Sequence, residues 1–156
     1  MERDSYLDGI RSAWIGEQFG EVFFCAMAER TDDESMRATW RSLAKLENVT
    51  GKRMAAVLEA YGEPAVAHER IEVGDEVLSQ YTNASHVDAM MRMKDVVEKA
   101  IIRFDQLLAV APEADVPAVQ FLVHHEQALL SFVDREIAGD HARALEDVEK
   151  LLEQSS

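Results

Sequence analysis

Three carboxylates, those of Glu17, Glu47 and Glu126, stand at positions where a helical repeat calls for apolar residues. Each interrupts a row of large apolar side chains with the spacing of one helix face. The rows consist of Ile10 and Phe24; Trp40, Leu43 and Met54; and Val119, Val123, Leu130 and Val133. A buried carboxylate without a partner is unstable, so each is expected to be protonated, hydrogen-bonded or bound to a metal ion. Inward carboxylates from several helices are how helical bundles hold iron or manganese.

A simpler interpretation applies to each carboxylate taken singly. One glutamate on an apolar row commonly lies at the edge of the buried face, with its carboxylate in water. Three at similar depth in three different helices favour an interior cluster instead. The acidic residues at flanking positions, Glu21, Asp95 and Glu98, are expected to be solvated.

His125 is the histidine expected to approach the interior carboxylates, because it falls between Leu122 and Leu129 on an apolar face. The neighbouring His124 shares its face with two glutamines and is expected to be exposed. Two roles stay open for His125: a hydrogen-bonded core residue or a metal ligand. No functional role is predicted for the remaining histidines, His68, His86 and His141.

Four long helices and a short fifth must position these side chains. Apolar spacing and capping residues predict helices over about 5–30, 33–61, 85–111, 115–139 and 140–153. Short loops make the first and second helices, and the third and fourth, antiparallel neighbours. The segment 62–84, with short helices expected at 65–71 and 75–81, is long enough to return the chain along the bundle, so the second and third helices should run parallel. No strand pattern occurs, and one all-α domain over 1–156 is expected.

Composition excludes several classes of protein. Thirty acidic against sixteen basic residues give a net charge of −14, which disfavours nucleic acid and anionic membranes as partners. A single cysteine excludes a disulfide framework and a Cys-rich zinc site, and Cys25 is expected to pack as a small apolar residue. No apolar run approaches the length of a membrane span, and the first residues carry no apolar signal region, so a cytoplasmic location is expected.

Two helical segments resemble those of a known family. The run from Glu17 through Gly20 to Phe24 is similar to the first-helix pattern of rubrerythrin-type ferritin-like proteins, in which a ligand Glu precedes a small residue and an aromatic one. The run from Glu47 through Thr50 to Met54 is similar to their second-helix pattern. The resemblance covers about residues 5–138. It implies a ferritin-like four-helix bundle with a long crossover between its second and third helices.

The resemblance also implies a ligand set that this chain keeps only in part. The family uses a Glu from each of two helices and a Glu-x-x-His from each of the other two. Thr50 stands where the second-helix His belongs, Val97 stands at the third-helix ligand position, and Leu129 follows Glu126 where the fourth-helix His belongs. If His125 of the His124-His125-Glu126 run is instead the family's His, then Leu122 takes the place of its Glu.

The remaining ligands, Glu17, Glu47, Glu126 and His125, could hold one divalent ion such as Fe or Mn, or form a hydrogen-bonded network without metal. The favoured function is therefore a non-catalytic or weakly metal-binding ferritin-like bundle, with room for a small molecule in its core. The alternative is a rubrerythrin-type di-iron or di-manganese oxidase or peroxidase. A homodimer is expected, through an apolar helix face that includes Met91 and Ile102.

Overall fold

The computed structural model describes residues 3–63, 65 and 71–155. They form six α-helices: α1 (Arg3–Arg30), α2 (Glu34–Ala60), α3 (Asp75–Thr82), α4 (His86–Ala109), α5 (Val116–Ile137) and α6 (Glu146–Glu153). Short 3-10 turns cover Glu113–Asp115 and His141–Arg143. The described residues include no β-strand, which confirms the all-α prediction.

The helix ends follow local chemistry. The Asp33 side chain accepts a hydrogen bond from the backbone N–H of Met36, and Ser85 accepts one from Asp88, so both residues cap the helices that follow them. Gly62 ends α2 with a φ of +74°, a conformation that glycine adopts without strain. The predicted last helix differs: a 3-10 turn precedes α6, which begins only at Glu146. A predicted helix over 65–71 falls largely outside the described residues, and Ala65 and Ile71 are not helical.

Two apolar clusters, one towards each end of the bundle, give the helix directions. One cluster contains Ile10 of α1, Met54 of α2, Phe104 of α4 and Leu122 of α5. The other contains Phe24 of α1, Leu43 of α2, Met93 of α4 and Phe132 of α5. The start of α1 therefore lies beside the ends of α2 and α4 and the start of α5. It follows that α2 and α4 run in the same direction, as the long connection between them predicts.

The short helices pack at one end. Leu78 of α3 and Val148 and Leu151 of α6 are buried in the cluster that contains Phe24. Arg30 at the end of α1 pairs with Asp75 at the start of α3, at 2.5 Å. No helix in the described part of the chain has the length and apolar character of a membrane span.

One prediction about the core is wrong. Cys25 is exposed rather than packed. Phe23 and Phe24 both face the core, and each residue of a helix turns about 100° from the one before it. The next position on α1 therefore points to solvent.

Candidate functional site

The three carboxylates on the apolar rows meet His125 in the middle of the bundle. Glu17 comes from α1, Glu47 from α2, and His125 and Glu126 from adjacent positions of α5. On each helix they lie between the residues of the two apolar clusters. All four are buried, with residue exposures of 3% for Glu17, 6% for Glu47, 0% for His125 and 7% for Glu126. We call these four residues the core cluster.

The imidazole of His125 is the centre of the core cluster. Its Nε2 atom lies 3.3 Å from Glu47 Oε2, 3.4 Å from Glu17 Oε2 and 3.8 Å from Glu126 Oε1. Despite these short distances, neither His125 Nε2 nor Glu17 Oε2 has a hydrogen-bond partner among the described residues. Buried polar atoms are nearly always paired, so a group that could pair with both of these atoms would be stabilised between them.

Thr50 orients this imidazole. Its Oγ1 atom lies 2.6 Å from His125 Nδ1, and both side chains are fully buried. An Nδ1–H that donates to the Thr50 hydroxyl leaves the lone pair of Nε2 directed at the carboxylates, which is the tautomer of a metal-binding histidine. Thr50, which the sequence resemblance places at a ligand position, thus contacts His125 instead.

Gly20 makes room for Glu47. A Cβ atom at position 20 would lie 2.6 Å from Glu47 Cδ and 2.7 Å from its Oε1 atom. Both distances are far shorter than a van der Waals contact. A side chain at this position of α1 is therefore incompatible with the observed position of the Glu47 carboxylate.

Burial dominates the electrostatics of the core cluster. It raises the pKa of Glu17 well above its ordinary value, and the negative charge of Glu47 adds to the effect. Burial likewise raises the pKa of Glu47 to about 8. It raises the pKa of Glu126 to about 7, although His125 opposes that shift. Without a bound cation the cluster therefore retains protons near neutral pH.

A cavity of about 800 Å³ reaches the core cluster from the side of the bundle, between α1, α3 and α4. Three of the four cluster residues line it, namely Glu17, Glu47 and Glu126. Its other lining side chains are mostly apolar, and the aromatic ones are Phe19, Phe23, Phe24, Tyr81 and Phe104. A volume of this size is typical of small-molecule sites.

The core cluster could hold a metal ion. One ring nitrogen of His125 and one carboxylate oxygen each of Glu17 and Glu47 lie within 4.8 Å of one another, close enough to be ligands of one ion. Glu126 Oε1, 3.8 Å from His125 Nε2, could be a further oxygen ligand. Val97 and Leu129, which border the same cavity, are buried and apolar and offer no ligand to a second ion.

Other predicted residues take the expected places with one qualification. His124, Asp95 and Glu98 are exposed. Glu21 is only partly exposed, because its carboxylate accepts a hydrogen bond from Asn48 at 3.1 Å. In the His124-His125-Glu126 run, both His125 and Glu126 reach the core cluster, whereas Leu122 packs in an apolar cluster.

Two polar groups were missed from the sequence. The carboxylate of Asp115 is buried and accepts hydrogen bonds from the hydroxyls of Tyr6 and Tyr61, at 2.8 and 2.7 Å. The second group consists of His86, Glu136 and His141, which meet at one end of the bundle. Neither group has a sequence spacing that indicates it, because the members lie on different elements.

Comparison with known proteins adds no assignment. The chain has no match among protein-family models, curated proteins or solved structures. The chemistry of the core cluster therefore carries the interpretation of this protein.

Proposed function

We propose that this chain is a ferritin-like bundle that binds one divalent metal ion, Fe(II) or Mn(II), in the core cluster. Glu17, Glu47 and His125 would hold the ion, with Glu126 as a further oxygen ligand. The observation that carries the proposal is the pair of orphaned buried atoms, His125 Nε2 and Glu17 Oε2, that face one another at 3.4 Å. One imidazole among carboxylates suits both metals.

The ferritin-like part of the proposal rests on topology. The parallel directions of α2 and α4, joined by a long connection, agree with a one-crossover bundle. The inward carboxylates on α1, α2 and α5 agree with the helices that supply ligands in such bundles. The sequence runs that begin at Glu17 and Glu47 supply the resemblance to the rubrerythrin type.

A role as a binding protein fits the site better than two-metal catalysis. A di-iron or di-manganese oxidase needs bridging and terminal ligands for two cations. Thr50, Val97 and Leu129 offer no such ligands at the three positions where the family places them. A single ion leaves coordination positions for a guest in the adjoining cavity.

The cavity indicates the chemistry of that guest. Its aromatic walls favour an apolar small molecule, and its floor presents the carboxylates of the core cluster. A bound divalent ion would supply a Lewis acid there, to which an oxygen atom of the guest could donate an electron pair. We therefore propose an apolar molecule with an oxygen donor at one end as the ligand class.

Metal titration of chelator-treated, tag-free protein tests the proposal. We expect Mn(II) to bind with a saturable site of about one ion per chain and to raise the melting temperature, as any ligand of the native state must. The variants Glu47→Gln and His125→Gln should lose that site, whereas Glu98→Gln, which changes an exposed carboxylate of α4, should retain it.

Three results would decide against the proposal. Less than about 0.1 ion per chain with no change in melting would leave a metal-free polar network, since a tight native-state ligand must shift the transition. Two ions lost together in Glu47→Gln would favour the two-metal enzyme. Equal binding by Glu47→Gln and Glu98→Gln would place the metal elsewhere.

We also propose that the protein forms a homodimer. Met91 and Ile102 are 56% and 60% exposed, and their separation of 11 residues puts them on one face of α4. Such an apolar face supports association with a second copy. Sedimentation velocity of the protein and of a Met91→Glu variant tests this, because only a dimer through this face should dissociate in the variant.

A further inference from the structure

Three residues outside the core cluster meet where α4 begins and α5 ends. His86 is the first residue of α4, directly after its Ser85 cap, and Glu136 lies in the last turn of α5. Gly139, with a φ of +81°, then reverses the chain and brings His141 back over the end of α5. We call His86, Glu136 and His141 the end cluster.

The carboxylate of Glu136 lies between the two imidazoles. Its Oε1 atom is 3.7 Å from His86 Nε2, and its Oε2 atom contacts His141 Nδ1. The imidazole rings are 5.8 Å apart between centroids and inclined at 63°. One nitrogen of each histidine and one carboxylate oxygen all lie within 4.8 Å of one another.

The three residues of the end cluster differ in their exposure to solvent. Glu136 is only 3% exposed, while the side chains of His86 and His141 are 39% and 61% exposed. In the part of the chain that the structure describes, no lysine or arginine pairs with the Glu136 carboxylate. A buried carboxylate needs a polar or positively charged partner, and the groups that face this one are the two imidazoles.

We propose that the end cluster is a second metal site, specific for a transition-metal ion of the Zn(II) type. Two imidazoles and one carboxylate are a frequent protein ligand set for zinc, which also accepts a water or an external ligand in its fourth position. The exposed imidazoles leave that position open to solvent. The nitrogen-rich ligand set distinguishes this site from the oxygen-rich core cluster, which favours Mn(II) or Fe(II).

The site has a structural consequence. Its ligands come from the start of α4, the end of α5 and the turn before α6. An ion held there would link the α4–α5 hairpin, at the end where α4 begins and α5 ends, to the turn that leads into α6. This role does not depend on the core cluster, which lies near the middle of the same helices.

Zn(II) titration of tag-free protein tests the proposal, with melting temperature and isothermal calorimetry as readouts. A hundredfold excess of Zn(II) over its Kd should raise the melting temperature by about 5 °C or more. His86→Gln and His141→Gln should each weaken binding at this site by at least about 100-fold, which is the upper end of what loss of an outer-shell contact costs. Both residues are partly exposed, so the variants should fold.

Matched variants separate this site from the proposed core site. His124→Gln removes an exposed histidine of α5 outside both clusters and should leave Zn(II) binding unchanged. His125→Gln should abolish Mn(II) binding while the end cluster still binds Zn(II). Wild-type Zn(II) affinity in both His86→Gln and His141→Gln would overturn the proposal, as would a Zn(II) site that disappears only in His125→Gln.

Discussion

The position of the Glu47 carboxylate can be tested with two glycines of the same helix. Gly16 and Gly20 both lie in α1 and both border the cavity. An alanine in a helix interior is more stable than glycine by about 1 kcal/mol. A Cβ atom at position 16 would have no neighbour within 4 Å, whereas one at position 20 would lie 2.6 Å from Glu47 Cδ.

The expected effects therefore have different signs. Gly16→Ala should raise the melting temperature by about 2–4 °C, the shift that 1 kcal/mol produces in a protein of this size. In Gly20→Ala, the Glu47 carboxylate must move by about 1 Å to restore an ordinary contact distance of about 3.5 Å. Overpacking of a buried site costs about 1–3 kcal/mol, so this variant should gain nothing or become less stable.

Metal binding gives a second and sharper readout. Ligand distances in a metal site must hold to within about 0.2 Å. A displacement of about 1 Å at Glu47 should therefore weaken Mn(II) binding by about tenfold or more, the range found when even supporting residues of a metal site are lost. Gly16→Ala should bind Mn(II) like the wild type. Equal gains in melting temperature and equal Mn(II) affinities for the two variants would refute the placement of Glu47 against Gly20.

Three further predictions concern the buried polar groups. Because burial raises the pKa of Glu47 to about 8 and that of Glu126 to about 7, the folded protein holds protons that the unfolded chain releases. The metal-free stability that these protons support should be full below about pH 4.5 and be lost towards pH 8, as urea midpoints at several pH values will show. Glu47→Gln should flatten this dependence and melt above the metal-free wild type at pH 8, but below the Mn(II)-saturated wild type. If Glu47→Gln melts below the metal-free wild type as well as below the Mn(II)-saturated wild type, burial does not penalise the Glu47 carboxylate. Tyr6→Phe removes a hydrogen bond to buried Asp115 and should lower the free energy of unfolding by about 1.5–3 kcal/mol in urea titrations, and no loss would show that Tyr61 alone satisfies Asp115.

The helices could be predicted because their signals are local. Each helix-end signal acts on residues no more than four positions away. These signals are the N-terminal caps Asp33 and Ser85 and the glycine that follows α2, Gly62. The apolar rows likewise fix which face of each helix is buried, and this also placed the three carboxylates in the interior. Cys25 shows the limit of such reasoning, since two neighbouring aromatic residues already occupy the buried arc of α1 at that turn.

The polar groups that were missed depend on contacts between distant elements. Asp115 looks in the sequence like an ordinary start of a helix, and its partner Tyr6 is 109 residues away. Glu136 and His141 are separated by a turn whose course depends on Gly139, and His86 joins them only because α4 and α5 are antiparallel. No spacing rule for a single helix can detect such groups.

Thr50 has a different role in the folded protein from the one that the sequence resemblance implies. The resemblance places it where a histidine ligand of that family would stand. In the folded protein its small side chain is fully buried against the imidazole of His125, which enters the same space from α5. A histidine at position 50 would compete with that imidazole for volume in a close-packed interior. The core cluster therefore contains one imidazole, which α5 supplies, and Thr50 is the residue that contacts it.

The same burial that protonates the carboxylates decides how such a site would bind metal. A divalent ion must displace the protons that Glu17, Glu47 and Glu126 hold near neutral pH, so its apparent affinity should rise with pH through the range of their raised pKa values. Once bound, the ion neutralises charges that are otherwise desolvated, and its attraction to them is stronger than in water. Removal of the ion returns the protons rather than leaving three buried charges. The bundle can therefore remain folded both with the ion and without it.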